Sequence, residues 1–326
     1  MVLAAYLRSR AAAYFLVLAA ALLINFFLPR ALPGNPLESF SSSMGGLAVM
    51  LDDTAKENLM RFYGLDQPLW RQFLNYCCGL ARGDLGFSIS WKAPVAQVIW
   101  ERLPWTLLLT FSAVFLSCFL AIVLGTGVAM GRWREAAVLL PAVMADSLPP
   151  FVLGSFLLIL LGVKLKLFPI GGAATSFVHL TGWEKAKDIL WHAALPVLAL
   201  TAHGFFGAYI LVRNAVKMVK EEPYVLLAEV KGLPERVIHY RYVLGTALLP
   251  VVTFFSMRLA YAVGGAVLVE VLFAYPGLGR LTYEAVLTHD YPLLQGVFLV
   301  FTVWVLLVNF LTDLLYLWLD PRIREL

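Results

Sequence analysis

The chain has 326 residues, 61% of them hydrophobic and only 14% charged, with a net charge of +4. A water-soluble domain carries about 25% charged residues, so an ordinary soluble fold is excluded and the surplus apolar side chains belong in lipid. The positive balance is too mild to mark a nucleic-acid partner, and it acts through where the charges fall.

In chain order, six stretches reach the ~20 apolar residues that a membrane helix needs. They are Ala11 to Pro29, Leu103 to Met130, Ala136 to Lys164, Trp191 to Val212, Thr246 to Phe273 and Tyr291 to Leu319. Backbone groups in hydrocarbon must bond internally, which predicts helices here. Arg8 and Arg10 ahead of the first run also fit a signal peptide, but the length of the run and the sequence Phe26-Phe27-Leu28-Pro29-Arg30 favour a retained anchor. The expected fold is an all-α polytopic membrane protein with six spans. Its parts are an anchor helix over 1–30, an external segment over 31–102 and a five-helix core over 103–326.

The external segment contains helical signals. Asp66-Gln67-Pro68 reads as a helix start, Leu69, Phe73, Tyr76 and Leu80 make one apolar face, and Gly83-Asp84-Leu85-Gly86 ends it. Pro94 opens a second short helix leading into span two. Two readings stand for these helices: they lie on the membrane surface or cap a pore mouth, or they are turns of a solvated loop. The segment from Arg30 to Arg102 balances seven basic against seven acidic residues, so it crosses the membrane readily. Arg132 and Arg134 in a short loop, with Arg213, Lys217, Lys220, Lys231, Arg236, Arg241, Arg322 and Arg324, place the other side and both termini in the cytoplasm.

Three cysteines, Cys77, Cys78 and Cys118, show no CxxC spacing and read as free buried thiols. His179, His192, His203, His239 and His289 are scattered and read as packed or interfacial side chains. No phosphate-binding GxxxxGK[ST], GxSxG or HExxH motif occurs, and Gly277-Leu278-Gly279 reads as a tight external turn after Pro276. Nothing in the chain argues for an enzyme, a bound cofactor or a metal.

Ionisable groups within spans cost about 2.5–3.5 kcal/mol on insertion scales, so each needs a reason. Asp146 precedes Ser147-Leu148-Pro149-Pro150, where the prolines kink the helix. Pore lining and shallow contact with cytoplasmic water are equally good accounts of Asp146. Arg258, mid-span, is expected to face another helix or a water-filled path, and Glu270 to sit in the outer interface. Gly264-Gly265 offers close helix approach. Asp146, Ser147, Pro149, Arg258 and Glu270 are the candidates for a translocation pathway.

Between spans four and five lies a polar, mixed-charge stretch, Tyr224 to Arg236, with a helix–turn–helix pattern broken at Gly232. A loop that only reverses the chain needs no such length, and this one reads as a docking element for a soluble partner.

Several segments carry a resemblance. Leu32-Pro33-Gly34-Asn35-Pro36, Tyr63-Gly64-Leu65-Asp66-Gln67-Pro68-Leu69, Arg82-Gly83-Asp84-Leu85-Gly86 and Glu101-Arg102-Leu103-Pro104 occur in order. Tyr275-Pro276-Gly277-Leu278-Gly279-Arg280, Asp290-Tyr291-Pro292-Leu293-Leu294-Gln295-Gly296 and Asp320-Pro321-Arg322-Ile323-Arg324 follow. Together they resemble the first permease subunit of dipeptide/oligopeptide/nickel ATP-binding cassette importers, across nearly the whole chain. The resemblance implies the type I importer permease fold in a bacterial inner membrane. It implies a second homologous permease, two ATPase subunits that carry ATP and Mg, and an external solute-binding protein. It also implies that Tyr224, Ala228, Glu229, Lys231, Gly232, Leu233 and Arg236 couple to the ATPase, within the segment 213–245. Ala228, Gly232 and Pro250 match the family pattern, whereas Leu226, Leu227, Glu229 and Val230 depart from it. Arg258 and Asp146 stand where the family often has uncharged residues. A stand-alone secondary transporter or channel, and a membrane scaffold, are the other readings; the chain shows no internal repeat of the kind that secondary carriers carry.

Overall fold

The structure, a computed structural model, describes residues 2–31, 60, 66–175, 178 and 180–319. Residues 32–36, 63–65 and 320–324 of the motifs above, and His179, lie outside the described residues.

The described chain is helical, and its β pairing is a single bridge, Phe87 with Pro94. In chain order the main helices are α1 (Val2–Ala31), α2 (Leu69–Ala81), α3 (Val95–Ala129), α4 (Glu135–Asp146), α5 (Pro150–Leu157), α6 (Gly182–Lys220) and α7 (Pro223–Val230). After short turns at Glu235–Val237 and Gly245–Ala247 come α8 (Leu249–Gly265), α9 (Val267–Leu272), α10 (Leu278–Leu287) and α11 (Tyr291–Leu319). Two π-helical stretches, Leu158–Lys164 and Ile238–Leu244, follow α5 and Glu235–Val237 directly.

Among the described residues four helices are long and apolar enough to cross a membrane: Ala12–Ala31, Val95–Ala129, Gly182–Lys220 and Tyr291–Leu315. Two bent pairs bring the number to six if each is one span. Glu135–Asp146 and Pro150–Lys164 meet at 104°, and Glu235–Ala247 and Pro250–Gly264 at 48°. The first break sits where the sequence places its double proline. Pro149 caps and Pro150 opens α5, so α4 ends at Asp146 rather than merely kinking. The short helix expected after Pro94 is continuous with span two: α3 runs through Pro104 without interruption.

Two compact units emerge. The first holds the described residues of Met1–Pro104, Gly277–Leu307 and Leu314–Leu326. Helix α2 starts after Pro68 and packs Phe73 and Tyr76 against Phe26 of α1, with ring centroids 5.2 and 6.0 Å apart. Arg30 lies over the Phe26 ring and donates to Gln72 Oε1 at 2.9 Å. Burial pushes the Tyr76 phenol up to about 12. Leu69, Trp70 and Leu74 of α2 stay exposed, so only part of the expected apolar face is covered within this chain. Residues 86–94 form a tight loop with Lys92 at positive φ, closed by Ser88 N–H to Ala93 O and Val95 N–H to Gly86 O.

The second unit is Trp105–Pro276 with Val308–Asp313. Its main core gathers Ala121, Tyr209, Val212, Val216, Val225, Ala228, Ile238 and Val243. Helix α6 runs 39 residues, with Glu184 in its first turn and Lys217 and Lys220 in its last, a charge order that suits the helix dipole. Close helix approach occurs at Gly125, where an added Cβ would lie 3.1 Å from Val212, and at Gly154 against Leu272 and Phe273. It does not occur at Gly264, which faces open space; small residues permit contact only where a partner surface arrives.

Candidate functional site

The polar stretch between the fourth and fifth apolar runs folds as its residues dictate. Pro223 takes the first helical position, where its missing N–H costs nothing, and α7 continues to Val230. Gly232 then adopts φ +69°, a conformation that side chains with a Cβ rarely take. Its N–H bonds Glu229 O at 2.9 Å, and Leu233 N–H bonds Ala228 O at 3.3 Å. These two bonds form a Schellman turn, and Pro234 then caps the next helical turn, Glu235–Val237.

This helix has two faces. Val225 and Ala228 are buried in the main core, and Leu233 packs against the same cluster. Tyr224, Leu226, Leu227, Glu229, Val230, Lys231, Gly232 and Arg236 are exposed, with Val230 at 77%. Ala228 therefore anchors the helix to its own chain instead of facing outward. Leu226, Leu227 and Val230 thus form an exposed apolar face on a helix packed from behind through Val225 and Ala228. Beneath it, Glu135 pairs with Arg213 and, at 3.4 Å, with Lys217, tying the start of α4 to the end of α6.

Higher in the same unit a cavity of about 200 Å³ opens among α3, α5, α6 and α8. Thr110, Ser117, His203, Gly204, Arg258 and Tyr261 are among its lining residues. Arg258 donates from Nη2 to Gly204 O at 3.3 Å and lies 5.4 Å from the Phe254 ring centroid. His203 Nδ1 is buried without a hydrogen bond, 3.8 Å from Asp146 Oδ1. Asp146, His203 and Arg258 thus form one group, although Asp146 does not itself line the cavity.

The other pathway candidates lie apart from it. Ser147 Oγ bonds Val143 O in its own helix at 2.7 Å, and Pro149 caps α5. Glu270 corrects the expectation of an interfacial carboxylate. It is fully buried, and Thr106 Oγ1 donates to it at 2.7 Å. A buried carboxylate needs such a donor, and Thr106 lies 164 residues away, so no local pattern announces it.

His203, expected as a packed or interfacial side chain, borders this cavity near Asp146. Its signal was present: it falls one helical turn from Gly207 and beside Gly204 on a helix that must approach α3 and α8 closely.

Comparison with known proteins agrees with this architecture. Residues 106–325 match the family described as binding-protein-dependent transport system inner membrane component. The chain is 33% identical to a probable D,D-dipeptide transport system permease protein of Escherichia coli (strain K12), over 97% of this chain and 96% of that one. It is 31% identical to a dipeptide transport system permease protein of the same strain, over 93% and 94%. It is 29% identical to an oligopeptide transport system permease protein of Bacillus subtilis (strain 168), over 99% and 100%.

Proposed function

Because the chain belongs to the binding-protein-dependent transport system inner membrane components, we propose that it forms half of the translocation path of an ATP-driven peptide importer. A homologous permease forms the other half. Two ATPase subunits hold ATP and Mg, this chain holding no cofactor of its own, and an external solute-binding protein delivers the cargo. The cargo follows from the names of the relatives, which specify dipeptides and oligopeptides.

In this reading the bent pair Glu135–Asp146 with Pro150–Lys164 is span three, and the Pro250–Gly264 arm of the second pair belongs to span five, giving six spans with both termini in the cytoplasm of a bacterial inner membrane. The anchor over 1–30, the external segment over 31–102 and the permease core over 103–326 keep their roles. The segment 213–245 docks in a groove of the ATPase. Tyr224, Glu229, Lys231 and Arg236 touch it, while Ala228, Gly232 and Leu233 fix the helix that presents them.

The observation that carries the proposal is the exposed row Leu226, Leu227 and Val230 on a helix pinned by Val225 and Ala228. Packed surfaces do not compress, so a push on that row moves α6 and its neighbours as a body. Alternating access then follows from rocking of helix bundles, with ATP closure as the drive. The test is purification of the tagged chain from its host in mild detergent. An ATPase subunit is expected to co-purify and to be lost when Gly232 and Glu229 are both replaced; retention of the ATPase in that variant contradicts the proposal.

One observation favours a second reading. The Asp146–His203–Arg258 group is a set of ionisable residues in apolar helices, as in carriers that work alone. Uptake by this polypeptide alone in liposomes would establish it.

A further inference from the structure

An arginine within a membrane helix is retained when it meets a counter-charge or a polar ligand. Among the described residues no carboxylate pairs with Arg258, and its protein hydrogen bond is the single one to Gly204 O. A guanidinium carries five N–H donors in a planar fork, so most of that capacity is unused. The neighbouring hydroxyls do not compete for the same ligand atoms. Thr110 Oγ1 donates to Thr106 O at 2.8 Å and Ser117 Oγ to Val114 O at 2.9 Å, which commits their protons to their own helix. The lining thus presents one fixed cation, one histidine ring, the Tyr261 hydroxyl and otherwise apolar or accepting groups.

From this we infer that the Arg258 cavity is a carboxylate-binding station for the transported peptide. The inference rests on the importer reading and names the part of the cargo that its path recognises. A guanidinium holds a carboxylate through two parallel hydrogen bonds, a geometry that lysine does not reproduce. At about 200 Å³ the cavity falls below the ~300–1,000 Å³ of sites that enclose a whole small ligand, so it takes one end of the peptide. The Phe254 ring beside the guanidinium steadies it when the site is empty.

The test uses the assembled transporter carrying Val114→p-benzoylphenylalanine, whose side chain enters the same cavity lining. Radiolabelled alanyl-alanine is photo-cross-linked in the absence of the binding protein, beside alanyl-alanine amide and alanyl-glutamate amide. Labelling by the free acid is expected to exceed that by alanyl-alanine amide by tenfold or more. It should fall about tenfold in Arg258→Gln and recover only in part in Arg258→Lys, which keeps the charge but not the paired hydrogen bonds. Arg258-dependent labelling by the glutamate amide extends the site to any carboxylate. Its absence restricts the site to the peptide C-terminus, and both results sustain the inference. Equal labelling by acid and amide, or unchanged labelling in Arg258→Gln, overturns it. If Arg258→Gln does not assemble, the acid-to-amide ratio in the parent complex decides alone. ATP-driven uptake by the parent complex, measured in parallel, reports on the importer reading separately: uptake without acid preference at Arg258 removes only the carboxylate station.

Discussion

Ser88 Oγ donates to Asp290 Oδ2 at 2.6 Å, joining two buried side chains that are 202 residues apart in the chain. The same oxygen accepts from Ser90 N–H at 2.9 Å and Ser90 Oγ at 2.7 Å, while Oδ1 accepts from Leu293 N–H at 3.1 Å. Asp290 therefore caps α11 and pins the 86–94 loop with one carboxylate.

Hydrogen bonds to a charged group contribute about 1.5–3 kcal/mol each, and an orphaned buried partner costs more than the mean bond. Asp290→Asn, which keeps the shape and removes the charge, is expected to destabilise by about 2–3 kcal/mol, and Ser90→Ala by about 1 kcal/mol. A double-mutant cycle on Ser88→Ala and Asp290→Asn should give a coupling of about 1–3 kcal/mol. Additive effects in denaturant unfolding of the purified chain contradict this account.

Glycines 264 and 296 make a matched pair. A Cβ on Gly296 would lie 2.4 Å from Val95 Cγ1, whereas one on Gly264 meets nothing within 4 Å. Overpacking of this kind costs about 1–3 kcal/mol. Gly296→Ala should lower the melting midpoint of the detergent-solubilised chain by several degrees, and Gly264→Ala should leave it unchanged or raise it. A reversed order would mean that the α3–α11 packing near Val95 is not as described.

At the Schellman turn, Gly232→Ala meets only the conformational penalty of a positive φ, about 1 kcal/mol. Gly232→Pro additionally loses the N–H that bonds Glu229 O and cannot take φ +69°. The proline variant is expected to insert normally and to hydrolyse ATP through its partner subunits while losing uptake by tenfold or more. Parental uptake in that variant refutes the proposal that α7 passes the push of the ATPase to α6.

The cysteines report orientation. Of the thiols expected to be buried, Cys118 is buried in α3, but Cys77 is half-buried and Cys78 exposed, because α2 packs only one face against α1; the proposed topology puts α2 outside. In intact spheroplasts a membrane-impermeant maleimide should label Cys78. Burial, and next the neighbouring Cys78, hold the Cys77 thiol above its usual range, so it stays protonated at pH 7 and reacts slowly. Raising the pH towards 9 should accelerate Cys77→ adduct formation in a Cys78→Ala background. Labelling of Cys78 only after permeabilisation would place α2 in the cytoplasm.

Features governed by nearest neighbours were legible in the sequence. Asp66-Gln67-Pro68 announces the start of α2, Pro149-Pro150 the end of α4, and Gly232 the turn after α7, because proline and glycine act on their own backbone. Pairings across the chain were not. Periodicity says that Glu270 lies on a helix but not that Thr106 meets it, and an apolar run around His203 does not reveal Asp146 one helix away. Motifs flagged separately, Arg82 to Gly86 and Asp290 to Gly296, prove to be neighbours: Gly86 packs by Pro292, and the loop that follows Gly86 binds Asp290. Gly264 meets no helix within this chain, since smallness permits contact without supplying the partner.

The most direct test of the central claim is uptake of a labelled dipeptide by liposomes containing this chain with its partner permease, ATPases and binding protein, each component omitted in turn. The account predicts uptake that requires hydrolysable ATP and vanishes when the ATPases are left out. Uptake by this chain alone, indifferent to ATP, would contradict it.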